Sequence, residues 1–195
     1  MVNFLHAVLS FQVASYKWLI KNILTKFVWQ PPMQIQKLPS VRSLVYTPVY
    51  LFILIFFCLS IILGVITALF PEPDLTGGFT TDSIVLDWLI TVIAVPLIET
   101  LLFQTLIIEI ICKLIKRPRK SIWIAVIVSS SAFALNHTYS TAYIIITFLG
   151  GFILALAYYL GRYRKENAVL LVFIIHSLYN LSSTLYNFCI YGLSV

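Results

Sequence analysis

The chain has 195 residues, of which 61% are hydrophobic and only 10% charged, with a formal net charge of +6 and a mean hydropathy of +0.99. Soluble globular domains carry about 45–50% apolar and about 25% charged residues, so this composition excludes one, and it equally excludes a disordered chain or a disulfide scaffold. The basic residues fall in three separate clusters rather than on one surface, which argues against nucleic acid as a partner and for the lipid bilayer.

In residues 1–28, Leu5, Val8, Leu9, Tyr16, Leu19, Ile20, Ile23 and Phe27 recur at helical spacing, while His6, Ser10, Lys17 and Lys21 fall on another face. This predicts an N-terminal helix lying in the membrane interface, with His6 on its polar face. No basic stretch precedes the apolar run, which argues against a secretory signal peptide. Five apolar stretches follow, at roughly 47–70, 86–112, 121–137, 142–160 and 168–191, each near the about 20 residues that a spanning helix requires. The sequence therefore predicts an all-α, polytopic membrane helical bundle of about five spans plus the interfacial helix. Residues 1–46 form the cytoplasmic or interfacial segment and 47–195 the membrane domain, with its core at about 86–191.

If successive spans alternate sides, all 13 Lys and Arg residues lie on one side, and Glu72, Asp74, Asp82 and Asp87 on the other. Basic residues mark the cytoplasmic face. The expected topology is N-terminus in and C-terminus out, in the cell membrane. Cys58, Cys112 and Cys189 each lie in an apolar stretch and form no CxxC pair, so they support neither a redox motif nor a zinc cluster.

Ionisable groups inside spans are costly and mark functional sites by default. Glu109 has a structural explanation, because Lys113 follows it by one helical turn. Glu99 lies deep in the second span with no basic residue one turn away, and Pro96 just before it is expected to kink or break the helix. Counted from the nearest basic residue at about 1.5 Å per residue, Glu99 lies about 21 Å deep, His137 about 25 Å, His176 about 17 Å and Asn180 about 23 Å. Three spans thus bring polar groups to one slab. His176 and Asn180 share a helix face, and Phe133 gives His137 an apolar wall one turn away.

At these residues the chain resembles the CPBP family of intramembrane proteases, which includes type II CAAX prenyl proteases, Abi proteins and bacteriocin self-immunity proteins. The family's motifs EExxxR, FxxxH and HxxxN/D correspond to Glu99–Gln104, Phe133–His137 and His176–Asn180. Thr100 and Gln104 replace the second glutamate and the arginine of the first motif, so a charged pair has become a neutral one. The resemblance implies an all-helical core and assigns the chemistry to Glu99, His137, His176 and Asn180. Those residue types suit it: a carboxylate in an apolar surround can take and return a proton, His137 can hold or share the water's proton, and His176 and Asn180 can donate to an oxyanion.

The expected activity is endopeptidase cleavage of a membrane-associated peptide or protein, of CAAX type or bacteriocin type, by a glutamate-activated water. Zinc is possible in its place, with Glu99, His137 and His176 as a two-histidine, one-carboxylate set. The alternative function is a non-catalytic membrane scaffold or bacteriocin self-immunity factor of the same fold. A transporter fits less well, because no repeat is present and the polar groups form no path across. Ser129, Ser130 and Ser131 have no histidine one turn away on their face and are expected to ease helix packing.

Overall fold

The structure is a computed structural model that describes residues 46–68, 83–115 and 118–191. The interfacial helix expected within residues 1–28 and the basic residues that precede residue 46 lie outside the described residues. Within them the chain forms helices and no strand. These are α1 (Val49–Ala68), α2 (Ile84–Leu114), α3 (Pro118–Leu135), α4 (Thr141–Tyr163) and α5 (Ala168–Tyr191), close to the five expected spans. Four of them are long and apolar enough to cross a membrane, whereas the apolar part of α3, Ser121–Leu135, is shorter.

Large apolar side chains face outward all round: Leu54 and Ile62 on α1, Trp123 and Ile127 on α3, and Leu185 and Ile190 on α5 are each at least two-fifths exposed. Such a surface suits hydrocarbon and not water, so the protein is a helical bundle of the membrane. Its interior is built on Phe52, Phe56, Ile108, Val126, Tyr158 and Val172.

In lipid, helices associate by close packing rather than by hydrophobic exclusion, so small residues set the closest approaches. Gly151 on α4 is one: a Cβ there would stand 3.0 Å from Cδ1 of Phe133, so the α3 aromatic occupies the space a side chain would need. At the other end of α4 the helix closes through Lys165, at φ 61°. Its N–H donates to the Arg162 carbonyl and that of Glu166 to the Gly161 carbonyl, which satisfies two otherwise orphaned acceptors and turns the chain into α5. Arg164, on the same turn, donates to the Thr47 carbonyl at 2.7 Å and lies over the Phe52 ring, pinning the start of α1.

α2 is the irregular element. It is α-helical over Ile84–Leu89, Val95–Glu99 and Ile108–Leu114, with π-helical turns at Ile90–Ala94 and Thr100–Ile107. Pro96 does not break the span: the backbone stays helical at each junction. The wider π turn before it relieves the contact between the proline ring and the carbonyl one turn back, which an α-helix would impose.

Glu109, near the end of α2, is buried, and beside the charge of the expected Lys113 it has partners on α4. Tyr158 Oη donates to its Oε1 at 3.1 Å, and Arg162 Nε lies 3.1 Å from the same oxygen. Lys113 itself is exposed. A buried carboxylate needs fixed, desolvated partners, which α4 supplies in addition to the charge of Lys113.

Candidate active site

α5 and the α3–α4 connector each bring an imidazole to Glu99 on α2. His137 Nε2 lies 3.4 Å from its Oε1, and His176 Nε2 lies 3.6 Å from its Oε2. The side chains are 10%, 17% and 6% exposed for Glu99, His137 and His176, so His137 is the most open of the three. Both separations exceed an ordinary hydrogen bond, so the carboxylate is bracketed by imidazoles but not saturated by them. A water bridging such gaps would be held by all three groups.

Each imidazole is aimed by its own element. α3 ends at Leu135, so His137 sits in the non-helical connector to α4 rather than at the end of a helix. Its backbone N–H donates to the Ala134 carbonyl, and its Nδ1 lies 2.8 Å from the Phe133 carbonyl oxygen. A carbonyl only accepts, so Nδ1 carries the proton and caps α3 while Nε2 turns to Glu99. Ser140 closes the connector by accepting from Tyr143 N–H, which starts α4. His176 is fixed by burial on α5 and by Phe133, whose ring centroid stands 4.6 Å from that of His137 and 5.8 Å from that of His176. One aromatic ring thus spaces both histidines. Phe103 packs edge-on against it from α2, and Tyr143 lines the outer side of His137.

Asn180 lies one turn beyond His176, as its spacing predicts. Its Nδ2 donates to the carbonyl of Thr91 at 2.9 Å, in the first π turn of α2. Ser129 on α3 does the same for the second π turn, donating to the Phe103 carbonyl at 3.0 Å. A π turn leaves backbone groups less well matched than an α turn, and a side chain from a neighbouring helix can take up the carbonyl. Ser130, by contrast, bonds only the Val126 carbonyl of its own helix. The Tyr143, Thr91 and Ser129 contacts were not identified from the sequence, since none carries charge or motif spacing.

Glu99, His137 and His176 are the residue types of a two-histidine, one-carboxylate zinc set, yet each imidazole is matched to its own carboxylate oxygen. Among the described residues no group of three or more His, Cys, Asp or Glu side chains is arranged to hold a metal ion.

No curated protein and no solved structure matches the chain. The family described as "Type II CAAX prenyl endopeptidase Rce1-like" matches residues 81–182, just over half of the chain. That stretch runs from the start of α2 into α5 and contains Glu99, His137, His176 and Asn180. The chain belongs to the type II CAAX prenyl endopeptidase Rce1-like family, a family of intramembrane proteases.

Proposed function

We propose that the protein hydrolyses a peptide bond of a membrane-associated substrate, using a water activated by Glu99 and His137. The observation that carries this is one carboxylate bracketed within 3.4 and 3.6 Å by two imidazoles from other parts of the bundle, inside a membrane protein. Glu99 takes one proton from the water as its oxygen attacks the carbonyl carbon, and His137 Nε2 steadies that proton. The developing oxyanion is met by His176 Nε2 and by the second Nδ2–H of Asn180, the first being committed to Thr91. Glu99 then passes its proton to the departing amine as the carbon–nitrogen bond breaks. Each step conserves protons within the four side chains and the water.

Family membership favours a CAAX-type C-terminal peptide as the substrate class. The chain would lie in the cell membrane with residues 1–46 cytoplasmic, the membrane domain at 47–195 and the C-terminus outside. The test is cleavage of a farnesylated CAAX peptide, beside its unprenylated form and an unrelated leader peptide, by the protein in proteoliposomes. Cleavage that vanishes in Glu99→Gln and survives prolonged chelation is the expected result. A zinc ion lost together with activity and restored with it would overturn the metal-free scheme. The neutral Thr100/Gln104 pair supports one other reading, a scaffold or immunity factor that binds another membrane protein. That protein would tolerate Glu99→Gln.

A further inference from the structure

Two polar side chains that follow Glu99 along α2 are completely buried: Thr100 and Gln104 are both 0% exposed. Thr100 Oγ1 and both amide atoms of Gln104 have no hydrogen-bond partner in the protein. The nitrogen of His176 that faces away from Glu99, Nδ1, is likewise buried and without one. α5, which carries His176, packs against the π turn that carries Thr100 and Gln104. Buried polar groups of this kind are almost always satisfied, and where the protein supplies no partner a bound water or ion does. The chemistry of the donors selects between these. A glutamine amide offers two N–H donors and a carbonyl acceptor, and a threonine hydroxyl donates once and accepts twice. No charge is present on either. A cation would face N–H donors and an anion would face lone pairs, whereas water matches both.

We infer that Thr100 and Gln104 form a buried water site beside Glu99, separate from the carboxylate–imidazole contacts. They stand four residues apart in one π-helical stretch, and both are buried. Where a charged pair would have closed on itself, the neutral pair leaves its hydrogen-bonding capacity for solvent. The site's use as a reservoir for the hydrolytic water rests on the protease reading above; its existence does not.

The experiment is water-to-protein magnetisation transfer in solid-state NMR, on glutamine-labelled protein in liposomes. The Gln104 side-chain signal is assigned by its loss in Gln104→Met. The expected result is rapid transfer from water to the Gln104 amide, reduced in Thr100→Val and retained in Glu99→Gln. In cleavage assays Thr100→Val lowers kcat and leaves KM in place. A Gln104 amide with no transfer from water overturns the inference. So does a Thr100→Val protein that melts higher than the parent at unchanged cleavage, the signature of an unpaired hydroxyl removed from a dry interior. A hydrated Gln104 in a protein that cleaves no peptide would uphold the water site and remove the protease reading. A dry Gln104 in a protein that loses cleavage with Glu99→Gln would do the reverse.

Discussion

Glu99 meets the two imidazoles at 3.4 and 3.6 Å, longer than a strong hydrogen bond, and that looseness suits a group that must exchange a proton with water. Glu99→Gln, His137→Ala and His176→Ala are each expected to abolish cleavage while the protein still accumulates in the membrane. Asn180→Ala should be milder, losing about 2.7–4 kcal/mol of transition-state stabilisation as a single oxyanion donor is removed. Undiminished turnover in Glu99→Gln would rule out the carboxylate base, and loss of all protein in these variants would point to a structural cluster. Thr100 and Gln104 give a second prediction. Both are fully buried, so Thr100→Glu or Gln104→Arg alone places an unpaired charge in the interior and destabilises the bundle. The double variant restores an opposite-charge pair four residues apart and should recover most of the loss. A double-mutant cycle on detergent-solubilised melting measures it. Strictly additive losses would show that the two side chains do not meet.

The helices themselves were largely legible, because a bilayer demands long apolar runs and this chain has them. Glu99, His137, His176 and Asn180 were legible for a related reason: each breaks an apolar run, and only function or pairing accounts for that cost. What escaped was the bonding between elements. Nothing in the residues around Pro96 distinguishes a broken helix from one that widens into π turns. That outcome depends on Asn180 and Ser129, which reach in from other helices to take the carbonyls of Thr91 and Phe103. The α4 partner of Glu109 was hidden likewise, since Arg162 is 53 residues away in the chain. The Glu109 and Arg162 side chains are 4% and 11% exposed, so Arg162→Met leaves a carboxylate buried without its cation. This should cost about 3–5 kcal/mol of stability. Combining it with Glu109→Gln should return much of that cost, because the buried charge goes too. A melt of the three proteins in one detergent measures the difference, and equal melting of parent and Arg162→Met would show that the pair does not brace α2 against α4.

Across the whole molecule the proposed orientation puts the α3–α4 connector on the face opposite the basic residues. With Asp82→Cys on that same face, a membrane-impermeant maleimide should label it from outside intact cells and not from the cytosol. Labelling from the cytosol alone would invert the molecule. The short third helix has a further consequence on this scale. Its apolar part, Ser121–Leu135, 15 of the helix's 18 residues, covers about 22 Å at about 1.5 Å per residue, against a hydrocarbon thickness of about 30 Å. Its exposed face carries Trp123 and Ile127, apolar side chains suited to acyl chains. Beyond Leu135 the chain continues as Asn136, His137, Thr138, Tyr139 and Ser140, polar residues that lipid tails wet poorly. A bilayer around it would have to thin at this edge or yield to headgroups and water there, so acyl-chain length would govern the proposed cleavage. Reconstituted into phosphatidylcholines of increasing chain length, the protein should cleave fastest in the thinnest bilayers and slow as longer tails cover the connector. A rate indifferent to thickness would mean that the polar edge is already sealed by protein.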